Sequence, residues 1–110
     1  MPKRNDDLLV ADILEAAQSI FIYIGEMDYE AFIADKKTVD AVVRNFEIMG
    51  EASKMISEVT KLKQPLIEWR EMADFRNVLI HEYFGIDYEI VWDTIKNMLP
   101  YNYELLKMLY

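Results

Sequence analysis

Three glycines and three prolines in 110 residues leave little material for tight turns. An all-β chain needs a turn signal about every 8–12 residues, so that class is disfavoured from the start. Helical periodicity instead runs almost the whole length. Apolar residues make up 53% of the chain and charged ones 29%, enough apolar surface for a globular core. The length fits one helical domain spanning 1–110.

Asp6 or Asp7 can cap a first helix reaching about Met27, with Gly25 marking where it ends or frays. Its apolar stripe is Leu9, Ile13, Ala16, Ala17, Ile20 and Ile24; Leu8, Val10, Phe21 and Ile22 widen it toward a second covered face. Asp28 caps a short helical turn to Ala34. Asp35 opens a second long helix to about Val59, with a stripe of Val39, Val42, Phe46, Met49, Ala52 and Ile56. Thr60 to Pro65 reads as a lysine-rich loop without periodicity. A third helix is expected from about Ile67 to Tyr83, broken by Gly85. Asp87 caps a fourth from Tyr88 to Met98, which Pro100 should end or kink. These elements predict an all-α, compact antiparallel bundle of four to five helices.

Several function classes are excluded. With no cysteine there is no disulfide, thiolate nucleophile or thiolate metal site, and a single histidine cannot build a multi-histidine zinc centre. Gly25, Gly50 and Gly85 are too few and too scattered for a phosphate-cradling loop. No bound metal or cofactor is expected. Neither a membrane span nor a signal-type segment can be written, so a cytoplasmic protein is the default expectation.

The net charge of −8 argues against a plain electrostatic nucleic-acid binder. The distribution changes that picture. Residues 1–35 carry −6, residues 36–70 carry +2, and residues 71–110 carry −4. The basic middle third holds Lys36, Lys37, Arg44, Lys54, Lys61, Lys63 and Arg70. It is either ordinary solvated surface or a local positive rim that could meet phosphates.

The chemistry concentrates in Arg76-Asn77-Val78-Leu79-Ile80-His81-Glu82-Tyr83-Phe84-Gly85. On an ideal helix, Arg76 falls inside the apolar arc of Met72, Leu79 and Tyr83, while Arg70, Asp74, Asn77 and His81 share the polar arc. An arginine on an apolar arc pairs with a carboxylate such as Glu47 or Glu51, snorkels to the surface, or lines a cleft. His81 is either an incidental surface histidine or a proton-transfer group. Tyr83 alone reads as core or interface. In a continuous helix Arg76 and His81 would point about 140° apart with ~7.5 Å of rise between them. They then share a small ligand only if the helix distorts near His81, or if a second chain completes the site.

Arg76-Asn77-x-x-x-His81-x-Tyr83 resembles the Arg-polar-x(3–5)-His signature of the HEPN superfamily, in the tyrosine-bearing form of the HepT toxins. Further blocks resemble the same family: Val43 to Ala52, Ile67 to Ala73, and His81 to Asp87 with Ile90-Val91-Trp92 and Leu99-Pro100. The resemblance covers nearly the whole chain and implies a helical bundle that dimerises, with paired Arg–His motifs lining a cleft at the two-fold interface.

The resemblance further implies metal-independent RNA cleavage, in which the 2′-hydroxyl attacks the neighbouring phosphate. Arg76 and His81 would be catalytic. Arginine stays charged and can hold a phosphate bidentately; histidine has a reference pKa near neutrality. Asn77 would orient His81 or the RNA, or is a plain helix-surface amide; Arg70 would contact the RNA backbone. The implied partner is a minimal nucleotidyltransferase antitoxin, which uses ATP to place AMP on Tyr83 and so blocks the cleft. The competing expectations are a non-catalytic helical binding module for such a nucleotidyltransferase, and a structural helical dimer with an incidental histidine.

Overall fold

The computed structural model describes residues 5–81 and 85–109. Two long helices, α1 (Asp6–Ile24) and α3 (Lys36–Met55), form an antiparallel pair bridged by the short α2 (Tyr29–Ala34). Both expected stripes lie in the seam: Leu9, Ile13, Ala16, Ala17, Ile20 and Ile24 face Val39, Val42, Phe46, Met49, Ala52 and Ile56, all buried. Each large apolar side chain removed from water contributes about 1.5–3 kcal/mol, against ~1 kcal/mol for a good cap. The seam therefore dominates this half of the fold. Of the residues expected to widen the α1 stripe, Val10 is buried and Phe21 partly so, but Leu8 and Ile22 are exposed.

Local capping follows the sequence at three sites. The carboxylates of Asp28, Asp35 and Asp87 accept from the backbone N–H groups of Ala31, Thr38 and Ile90. At α1 the cap is Asn5, which accepts from the Leu8 N–H, and the helix ends at Gly25 with φ +49°. Asp6 has a different role. Its carboxylate accepts from the Ser57 and Thr60 hydroxyls and from the Ser57 N–H, tying the start of α1 to residues beyond the end of α3.

That tie corrects the expected loop at Thr60 to Pro65. The chain leaves α3 at Ile56 and re-enters a helix, α4 (Glu58–Lys63), capped by Ser57. A lysine-rich six-residue segment lacks a local apolar period, and its anchor comes from a residue more than fifty positions away.

The expected third helix is also revised. It is two short helices, α5 (Trp69–Ala73) and α6 (Phe75–Leu79), with a break at Asp74. Beyond Leu79 the backbone is extended: strand β1 (Ile80–His81) pairs antiparallel with β2 (Gly85–Ile86), in the register Ile80 to Ile86 and His81 to Gly85. Gly85 takes φ +76°, a conformation that side-chain-bearing residues adopt at a cost. The break resets the helical phase. Met72, Phe75 and Leu79 point inward, and Phe75 packs edge-on against Phe46 at 4.9 Å.

The last helix continues past Pro100. α7 (Tyr88–Asp93) passes through a π-helical turn (Thr94–Met98) into α8 (Leu99–Lys107). Proline would clash with the carbonyl one regular turn back. The wider turn, in which the Leu99 N–H reaches the Thr94 carbonyl, carries the helix through. α8 runs back along α1, with the Gln18 amide donating to the Tyr103 hydroxyl at 3.0 Å. No helix among the described residues is long and apolar enough to cross a membrane.

Candidate active site

The Arg76–His81 segment is held by three elements. α5 is pressed against α3 at Gly50, where a Cβ would lie 2.9 Å from the Met72 carbonyl oxygen. The N-terminus of α5 has no side-chain cap of its own. Asn102 of α8, itself buried, supplies one: its Oδ1 accepts from the Glu68 N–H at 2.8 Å, and its Nδ2 donates to the Glu68 carboxylate and the Met98 carbonyl.

Arg76 lies on α6 with its side chain 72% exposed, and Nη1 donates to Glu47 Oε2 at 3.3 Å. Of the explanations open at the sequence level, pairing with Glu47 is the observed one; Glu51 pairs with Lys54. The apolar-arc placement does not hold, because the break at Asp74 rotates α6 and turns Arg76 outward. The Asn77 Nδ2 donates to Asp74 Oδ1 at 2.7 Å, within its own helical segment.

His81 has left the helix, so the ideal-helix separation from Arg76 no longer applies. Its Nε2 lies 3.0 Å from Asp87 Oδ2, with His81 half-exposed and Asp87 less so. The hydrogen bond from His81, and then the Ile90 N–H, hold the Asp87 carboxyl below the ordinary carboxylate value. Tyr83 lies outside the described residues.

Arg70 is exposed and opens onto a groove of about 670 Å³ floored by Phe75, Val78 and Met98, with Lys54 and Asp74 on its rim. That lining does not include Arg76, Asn77 or His81. Within the basic third, Lys36, Lys54 and Lys61 each pair with a carboxylate three or four residues away, which favours solvated surface for those three. Among the described residues no cluster of three or more acidic or histidine side chains is arranged to hold a metal ion.

Residues 13–109 match the family model described as "Ribonuclease HepT-like". The chain belongs to the HepT-like ribonuclease family, within the HEPN superfamily. It is 46% identical over 98 residues to the "Probable ribonuclease HepT" of Thermococcus cleftensis, covering 89% of each chain. Two Methanocaldococcus jannaschii proteins, each named "Putative RNase", are 43% and 42% identical over 100 residues. Those matches cover 91% of this chain and 83% and 92% of theirs. No solved structure gives a significant match.

Two neighbours of the HepT-like motif acquire contacts that sequence spacing underused. Glu47 was one of two candidate partners for Arg76, and only the phase of α6 selects it. Asp87 reads from the sequence as a helix cap at the end of a family-like block. Its separation of six residues from His81 has no meaning on a helix; only the hairpin makes the two adjacent.

Proposed function

We propose that this HepT-like protein is a metal-independent endoribonuclease whose catalytic pair is Arg76 and His81. The observation that carries the reading is that Arg76 stands largely exposed and His81 half-exposed, each tied on one side to a carboxylate, in a chain of this ribonuclease family. A guanidinium open to solvent can hold a phosphate as negative charge develops on it. A half-exposed imidazole can take the proton of a 2′-hydroxyl near neutral pH. The 2′-oxygen then bonds to phosphorus and the 5′-oxygen leaves, giving a cyclic phosphate and a 5′-hydroxyl end. Two copies of the motif across a homodimer cleft would surround the RNA, with Arg70 on the backbone.

In this reading the protein is the toxin of a toxin–antitoxin pair. A partner nucleotidyltransferase transfers AMP from ATP to Tyr83, and the added bulk and negative charge close the cleft to RNA phosphates. The test is cleavage of RNA by the purified protein in the absence of magnesium, beside His81→Ala. Wild-type cleavage that the variant lacks is expected; equal cleavage by both removes His81 from the mechanism. Intact mass after co-expression with the partner should rise by AMP units, and Tyr83→Phe should abolish the gain. No gain in the wild type refutes the switch.

A further inference from the structure

We propose that Asp87 is the positioning residue for His81, fixing its imidazole as the Nε2–H tautomer and leaving Nδ1 as the atom that moves the proton. The assignment rests on the ribonuclease reading for its catalytic consequence, but its structural half stands on this chain's geometry alone.

A carboxylate only accepts hydrogen bonds, so the 3.0 Å contact between Asp87 Oδ2 and His81 Nε2 requires the hydrogen on Nε2. Neutral His81 then carries its lone pair on Nδ1. Asp87 is ionised at neutral pH, since its carboxyl is held below the ordinary range. It is also tied at two further points. Its Oδ1 accepts from the Ile90 N–H at 3.2 Å, and its own N–H donates to the Leu79 carbonyl at 2.9 Å. One residue thus closes the β1–β2 hairpin, caps α7 and grips the imidazole. Among the described residues Tyr29 of α2 also senses the Asp87 charge: desolvation first, then the carboxylates of Glu89, Glu30 and Asp87, push its hydroxyl up. Glu89 is a further acid and not a competing donor for the Asp87 carboxylate.

A surface contact of this kind contributes little to stability, which leaves orientation as its main effect. The same logic holds wherever a carboxylate fixes which imidazole nitrogen is free. In the reaction, Nδ1 takes the 2′-hydroxyl proton as the O2′–P bond forms. The P–O5′ bond breaks, and water protonates the departing 5′-oxygen.

The cap and the histidine contact can be separated. Asp87→Asn keeps an oxygen for the Ile90 N–H but turns an amide donor toward His81. Asp87→Ser keeps the cap and is too short to reach the ring. His81 is the only histidine, so the imidazole ¹⁵N spectrum of the full chain has a single source. The wild type should show the Nε2–H pattern at a pH where His81 is neutral, and Asp87→Asn should shift it toward Nδ1–H. On a fluorogenic single-stranded RNA of mixed sequence, both variants should lower kcat roughly 10- to 100-fold, part of what a positioned proton-transfer group supplies. KM and melting temperature should stay near wild type.

A wild-type Nδ1–H pattern, or unchanged kcat in both variants, overturns the role of Asp87. A wild type that cleaves no RNA overturns the ribonuclease reading instead, while the ¹⁵N pattern still decides the tautomer.

Discussion

Glu47 Oε2 accepts from Arg76 Nη1 at 3.3 Å, joining the middle of α3 to the short helix that carries the motif arginine. Glu47 is the less exposed partner, at 24% against 72%, so the carboxylate is the fixed end and the guanidinium the presented one. Replacing Glu47 by Gln should cost at most about 1 kcal/mol, because one partner is largely solvated. The same change should raise KM for RNA several-fold by freeing Arg76 to wander. Chemical denaturation and steady-state cleavage measure the two effects separately; an unchanged KM would show that Arg76 needs no anchor.

Gly50→Ala should destabilise the fold, against the usual ~1 kcal/mol gain for this exchange inside a helix. The new Cβ would sit 2.9 Å from the Met72 carbonyl oxygen, and backbone cannot swing aside as a side chain can. Overpacking of this kind costs about 1–3 kcal/mol. Thermal unfolding should show a lower midpoint. A raised midpoint would mean that α5 shifts freely.

Asn102→Ala should cost about 1–3 kcal/mol, since it strands the Glu68 N–H in a partly buried site. The loss should be concentrated at α5, because Asn102 is the cap that α5 otherwise lacks. Hydrogen exchange at the first amides of α5 tests this, with faster exchange expected there than across the α1–α3 seam.

Asp6 gives the acid limb of stability a local origin. The Ser57 hydroxyl first, then that of Thr60, hold its carboxyl below the ordinary value of 3.8. A carboxyl depressed on folding contributes stability that is complete above its unfolded pKa and lost as pH falls through the folded one. Wild type should therefore lose stability below about pH 3.8 more steeply than Asp6→Asn. Denaturant midpoints across the acid range report the slope, and parallel slopes would exclude Asp6 as its source. Asp87, also depressed, remains in both proteins.

What the sequence determined by itself is the helical periods and three of the local caps. The stripes of α1 and α3 repeat at three and four residues, and burial follows them residue by residue. Asp28, Asp35 and Asp87 cap the helices they precede because an N-cap acceptor needs only a backbone N–H two or three positions on. The motif itself was legible as ordered blocks of residues.

Only the tertiary structure decided where those residues stand. Asp74 breaks the third helix while α5 packs on Gly50 and α6 on Phe46, and that break turns Arg76 outward to Glu47. The hairpin lifts His81 off the helix and onto Asp87. α4 is held through Asp6, and α5 through Asn102, across separations of 54 and 34 residues. Periodicity records the face that each residue shows to its own helix. It carries no term for a partner reached through a break in phase, and the candidate site is built from such partners.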